Sequence, residues 1–405
     1  MQKQGYMTMH MKESKLFFVY KFLIMLLCIY SMFPWFMVGL NSLFCALALL
    51  FFSIILYCSQ RFRYKKRSKL DGIELLLVVF MLWCGIHATI FGCAEMIINC
   101  VSLILILRLH NLYKYEILRF VTKYFSIFIL LSLSFYVLWL AGVPLPSGIA
   151  FSGTPYECYN YYAFIIDYDF HLLPRFKSVF AEPGHLTFGL IPLIAANKFN
   201  VRDKYVLILV IAELFTISLA GYLCLFVMAF LKLFFSKKHR LKAYVLGFLL
   251  IVGMSFLYQK MKTADTLFYT MTFDRVERYV SGDSEQLGDR FKGNTIATYN
   301  QLMKSTDCLY GMGLNNRSLS ATEGSSGYKV YIIYYGIIGL LLMMLVFYKC
   351  YSRNKCRESL VLFICCFLLL LQNAYPLWYV FIITYLLATP LMKYDYADII
   401  FSSSK

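Results

Sequence analysis

The chain is a succession of apolar runs separated by short polar breaks, and that pattern leaves few folds open to it. The runs fall at 16–33, 36–58, 73–90, 94–107, 121–142, 184–197, 205–217, 220–235, 243–258, 328–348, 358–371 and 376–391. About twenty apolar residues span a bilayer as an α-helix, because a helix satisfies every backbone N–H and C=O within one segment. The reading is an all-α polytopic membrane protein, one integral domain over 1–405 with about twelve transmembrane helices. The charge content agrees: 15% of the 405 residues are charged, against about 25% in a soluble domain. The first run, LFFVYKFLIMLLCIYSMF, has no small-residue cleavage site and leads straight into another run, so it reads as a retained span. The short runs 94–107, 184–197 and 205–217 are expected to be tilted, re-entrant or broken, facing protein rather than lipid.

Orientation follows from the basic breaks. RFRYKKRSK at 61–69, SKKHRLK at 236–242 and KCYSRNKCR at 349–357 fall on one side, which the positive-inside rule makes the cytoplasm, with both termini there too. The formal charge of +17 then belongs to short loops that meet anionic membrane lipids, and no nucleic acid is needed to explain it. Nearly all of the 13 cysteines lie inside the runs and no CxxC pair has a matching partner, so a zinc framework is not expected. Cys158 and Cys308 are the exceptions in the long outer loops, either as one disulfide or as two free thiols.

That orientation leaves two long segments outside, 143–183 and 259–327, the second with enough mixed charge for a small, partly helical unit. Most of its charges read as solvated surface. The arginines nearest the membrane read as ligands for an anion, since a planar guanidinium forks onto phosphate oxygens as lysine cannot. No P-loop, HExxH or GxSxG motif occurs, and no repeat relates the two halves as in many carriers. GMGLNN at 311–316 reads as a turn at the foot of the tenth span. YECYNYYAFIIDYDFHLL at 156–173 is dense in aromatic rings, which suit either a membrane interface or the face of a sugar.

The stretch RFKSVFAEPGHLTFGL at 175–190 gathers four titratable groups where a span begins. Pro183 suits the first turn of a helix and biases Glu182 away from helical geometry, so the sixth span is expected to start there. Glu182 is then either a cap or a proton acceptor, and His185, one turn in, either an interfacial histidine satisfied by neighbours or a base. Arg175 and Lys177 supply pairing partners and anion ligands. Ionisable groups at the edge of a span are costly unless they pair or line a polar cavity, which favours reading the four as a cluster.

An arginine followed by SVFAEPGHL, then a span bearing Ser218 and Gly221 in ISLAGYL, resembles the O-antigen polymerase family. So does an outer loop holding DRFKGNTIATYNQLM and LYGMGLNN before YYGIIGLLLM, and the similarity runs from about 120 to 345. The resemblance implies a bacterial inner-membrane glycosyltransferase that joins repeats carried on undecaprenyl diphosphate into O-antigen, capsule or exopolysaccharide. A chain-length regulator and a flippase are the partners it implies, and no organic cofactor. Arg175 and Arg290 would hold the diphosphate, with Arg278 in reserve, and Glu182 or His185 would take the proton or position the acceptor. Direct displacement inverts the anomeric centre and needs no bound metal, although Asp274 and Asp289 could hold a divalent ion. The rival readings are an O-antigen ligase, for which an outer-loop histidine is expected and 259–327 has none, and a lipid-linked oligosaccharide flippase, for which shorter outer loops are expected.

Overall fold

A computed structural model of the chain describes residues 15–37, 39–59, 70–146, 150–151, 158–167, 174–236, 240–263, 293–314, 327–373 and 375–394. Each apolar run forms a helix: α1 (Lys15–Tyr30), α2 (Ser42–Cys58), α3 (Gly72–Ile86), α4 (Ile90–Arg108), α5 (Asn111–Leu140), α6 (Pro183–Ala196), α7 (Lys204–Phe215), α8 (Leu219–Phe235) and α9 (Arg240–Thr263). After α10 (Gly293–Met303) come α11 (Tyr328–Arg353), α12 (Arg357–Gln372) and α13 (Tyr379–Ala388). Three of them, α4, α5 and α11, are long and apolar enough to cross a membrane by themselves.

Short polar residues set where the helices begin. Asn41, Thr89, Asp203 and Ser218 each accept a backbone N–H of the first turn, and Asp71 forms a reciprocal capping box with Glu74. α4 starts four residues before the run 94–107 that marked it and, at 19 residues, is not the short helix expected there, while α5 starts ten residues before its run. The polar start of α5 is tolerated because buried Lys114 donates Nζ to Leu107 O at 2.7 Å.

The centre of the bundle is α13 and α6. All ten residues of α13 are buried, as are all but two of α6, so these short helices face protein, as expected of α6. The outer helices carry large exposed apolar side chains, among them Phe44, Phe51, Ile86 and Phe91, whose exposure suits lipid rather than water.

The bundle has two distinct ends. One is tied by Arg353 to Asp71, Arg357 to Phe235 O, Lys393 to Arg353 O and Lys198 to Tyr394 O. The other is tied where the α1–α2 connection pairs with 178–182, through Trp35 N to Val179 O at 3.0 Å and Ala181 N to Phe33 O at 3.3 Å.

The mostly helical architecture agrees with the all-α expectation, to which one loop adds a small sheet. The first long loop carries a three-stranded antiparallel sheet of β1 (Ala150–Phe151), β2 (Cys158–Asn160) and β3 (Ile165–Asp167). Its register puts Cys158 opposite Asp167. In the second loop, 264–292 and 315–326 lie outside the described residues, and among the described residues α10 is helical.

Candidate active site at the start of α6

Glu182 is the N-cap residue of α6, extended at φ −137° and ψ 150°, with Pro183 at the first helical position. Its carboxylate makes no capping hydrogen bond, so the cap reading does not account for it. His185 follows one turn in, with its backbone N–H bonded to Glu182 O at 3.1 Å and its ring in electrostatic contact with Glu182 and Lys177.

Aromatic rings surround the imidazole. Trp378 meets it edge-on with centroids 4.8 Å apart, Phe33 lies at 5.9 Å and Tyr375 at 6.4 Å. Tyr375 and Trp378 stack on each other at 4.6 Å and 3°. Within this cage His185 Nδ1 is buried with no hydrogen-bond partner. A polar atom left so costs about 1–3 kcal/mol unless a ligand or water reaches it. The backbone here is strained as well: Phe33, Ser178 and Ile217 adopt φ of 56°, 54° and 50° without being glycine. Such conformations persist where packing over-determines them, a feature of binding and catalytic sites.

Arg175 stands near the start of the segment 174–182 that leads into α6. Its Nε donates to Thr216 O at 3.2 Å, and the neighbouring Phe176 N–H bonds Phe215 O at 3.0 Å, which docks the segment on the α7–α8 turn. The Ser-x-x-Gly element lies in that turn. Ser218 caps α8 by accepting Gly221 N, and Gly221 leaves room for the carboxyl of Glu213, because a Cβ there would overlap Glu213 Oε1.

Lys177 corrects the sequence reading. It is 1% exposed, ion-paired to Asp167, and directed at Cys158 Sγ at 3.2 Å and Ala181 O at 3.3 Å. It anchors the sheet to the segment before α6 and is no open anion ligand. Cys158 and Cys308 are free thiols. The described part of GMGLNN, 311–314, also differs from a turn at the foot of the tenth span: Gly313 N bonds Tyr334 O at 3.0 Å, so these residues lie against α11 beside a break at Gly336.

Arg290, Arg278, Asp274 and Asp289 lie outside the described residues. Among the described residues no three His, Cys, Asp or Glu side chains come together. Sequence reasoning missed Glu213, Tyr375, Trp378 and Phe33. A lone acid inside an apolar run was the available signal for Glu213, whereas the aromatic residues reach His185 only through the fold.

Fold and site together define a mostly helical chain with apolar helices of membrane-crossing length and a polar, aromatic-lined cluster at one end of its bundle. No known protein family, curated protein or solved structure matches the chain.

Proposed function

We propose that the chain is a polysaccharide polymerase of the O-antigen type, transferring a growing glycan from undecaprenyl diphosphate to a lipid-linked repeat unit at the outer face of the bacterial cytoplasmic membrane. The observation that carries this reading is the segment 174–182. It places Arg175 on the α7–α8 turn and delivers Glu182 and His185 to an aromatic cage, at the bundle end opposite Arg353, Arg357 and Lys393. On this reading the apolar helices cross about twelve times, with both termini in the cytoplasm. The links put Phe33 and Trp35 at one end, Asp71 at the other, Val179 and Ala181 back at the first and Lys198 at the second, which supports crossings in between.

The acceptor's sugar hydroxyl attacks the anomeric carbon of the donor. The glycosidic C–O bond forms as the bond from that carbon to the diphosphate oxygen breaks, and undecaprenyl diphosphate leaves with the electron pair. The hydroxyl proton passes to Glu182 or His185. Arg175, with Arg290 and Arg278, would stabilise the departing charge, an effect of about 3 kcal/mol for a single preorganised donor.

The test is the glycan banding pattern of a deletion strain complemented with wild type, Arg175→Ala, Arg290→Ala, Glu182→Gln or His185→Ala, with membrane expression checked. Collapse of the ladder to single-repeat bands at normal expression supports the polymerase. Long lipid-linked polymer without surface-attached glycan would mean a ligase instead, and an unchanged ladder from all four variants would remove this site from consideration.

A further inference from the structure

At the bundle end opposite His185, a cavity of about 70 Å³ lies between the starts of α3 and α5 and the ends of α4, α11 and α13. Its charged lining is Asp71, Glu74, Arg108, Lys114 and Arg353. One water needs about 10–15 Å³ of such space. The cavity therefore has room for a group made of four water-sized oxygens around one central atom.

Both acids of this lining are already engaged. Buried Glu74 accepts Arg108 Nε on Oε1 and Arg108 Nη2 on Oε2, each at 2.9 Å, and its Oε2 also accepts Asp71 N at 3.1 Å. Asp71 accepts Ile73 N and Glu74 N on Oδ1, and Arg353 Nη1 on Oδ2. The two guanidiniums are each engaged along one edge. Among the described residues, Arg108 Nη1 makes no hydrogen bond, and neither do Nε and Nη2 of Arg353. Lys114 completes the lining: it is 2% exposed, and its Nζ donates to the neutral Leu107 O at 2.7 Å.

We propose that this cavity binds a phosphate group, the headgroup phosphate of an anionic membrane lipid or a free phosphate, held by Arg108 and Arg353 through the guanidinium edges that their carboxylates leave open. A planar guanidinium suits this double duty, since one edge forks onto a carboxylate while the other reaches a phosphate oxygen. Glu74 and Asp71 are then positioning residues that fix the two planes before the anion arrives. The place suits a lipid: on the orientation read from the basic breaks, this end meets the cytoplasmic leaflet, where basic pockets between helices take anionic headgroups. The inference is independent of the polymerase reading, which concerns the other end of the bundle.

Thermal midpoints of the full chain in detergent micelles test this, titrated with phosphatidylglycerol, with diacylglycerol of the same tails, and with inorganic phosphate against chloride at constant ionic strength. A ligand that binds the folded chain raises the midpoint with its concentration. Wild type is expected to rise with phosphatidylglycerol and not with diacylglycerol. Arg353→Lys and Arg108→Lys keep the charge, but a single amine cannot serve carboxylate and phosphate together. The concentration giving half the rise should therefore increase about tenfold or more in each, the loss of one charge-assisted hydrogen bond. A rise with inorganic phosphate alone, weakened likewise in the variants, supports the site and makes its ligand a free phosphate. No rise with either phosphate source overturns the inference, and so does an equal rise with diacylglycerol, which would put the effect in the tails. A rise unchanged in Arg353→Lys overturns it too, because the anion then sits elsewhere on the basic surface. That variant decides if Arg108→Lys does not fold, since the Arg353 side chain is exposed whereas Arg108 pairs a buried acid.

Discussion

Gly311 and Gly336 meet backbone to backbone: a Cβ on Gly311 would lie 2.5 Å from the Gly336 amide nitrogen, and both residues are left-handed, at φ 82° and 68°. The contact exists because α11 breaks at Gly336. The break frees the carbonyls of Ile333 and Tyr334, which accept Met312 N at 2.7 Å and Gly313 N at 3.0 Å, while Ile338 N returns a bond to Leu309 O at 3.1 Å. Leu314 N continues to His87 O at 2.7 Å, so the end of the second outer segment is tied to α11 and to the α3–α4 turn. Two motifs that stand apart in the sequence, LYGMGL and YYGIIG, are thus the two halves of one backbone junction.

Replacing either glycine should open that junction. A left-handed conformation costs a side-chain-bearing residue about 1–2 kcal/mol, and at Gly336 the added methyl also collides with Leu309 O. Gly336→Ala and Gly311→Ala are expected to lower the thermal midpoint of the purified protein and its yield in membranes. Gly253→Ala, where nothing lies within 4 Å of the added carbon, should leave both unchanged or slightly raised. Equal midpoints for Gly336→Ala and wild type would mean the junction contributes nothing to stability.

Lys177 and Asp167 give a second prediction. The amine is 1% exposed, the carboxylate side chain 37%, so removing the carboxylate strands a buried cation, while removing the amine leaves an acid that water can reach. Asp167→Asn is expected to destabilise by about 3 kcal/mol, the lower end for a broken buried pair. Lys177→Met, apolar and of similar length, should cost clearly less. Chemical denaturation of the two variants checks the order, and the reverse order would show that Lys177 is neutralised by another group.

Much of the helical architecture was legible because hydropathy alone marks a segment that must satisfy its backbone internally. The start of α6 was legible too, since Pro183 fixes φ at the first helical position. What escaped depends on contacts between distant residues. Trp378 and Tyr375 look like interfacial aromatics until the chain brings them over His185. Lys177 resembles an anion ligand until Asp167 arrives across the register of β2 and β3. Glu213 is hidden because one acid barely alters the mean of an apolar window, and Gly221 gives no sign that it makes room for that acid.

Asp71 carries a pH dependence at the other end of the bundle. Its burial pushes the carboxyl up, but hydrogen bonds from Arg353 and from the backbone N–H groups of Glu74 and Ile73 outweigh that and hold it below the usual carboxylate range. A folded value below the unfolded one means the stabilisation is complete above the ordinary carboxylate range and is lost as pH falls through the folded value. Thermal midpoints followed from neutral pH downward should therefore decline in wild type and decline less in Asp71→Asn, whose midpoint at neutral pH is lower. Parallel curves for the two proteins would remove Asp71 from the acid limb.

The last prediction separates charge from shape at Arg175. Its Nε already serves Thr216 O at 3.2 Å, so on the proposed reading one planar group would have to serve both anchoring and anion binding. A lysine has a single terminal amine, which can reach the turn or a phosphate oxygen and cannot fork across both. Arg175→Lys keeps the charge and should still lose about 10²–10³ in transfer rate, the range for a preorganised donor aimed at developing charge. Folded protein in the membrane should stay near the wild-type level, because the backbone bond from Phe176 N to Phe215 O still docks the segment. Initial rates of polymerisation on lipid-linked repeats, set against membrane protein levels, provide the measurement. Full activity in the lysine variant would reduce Arg175 to a point charge, and loss of folded protein in step with loss of rate would make it part of the scaffold instead.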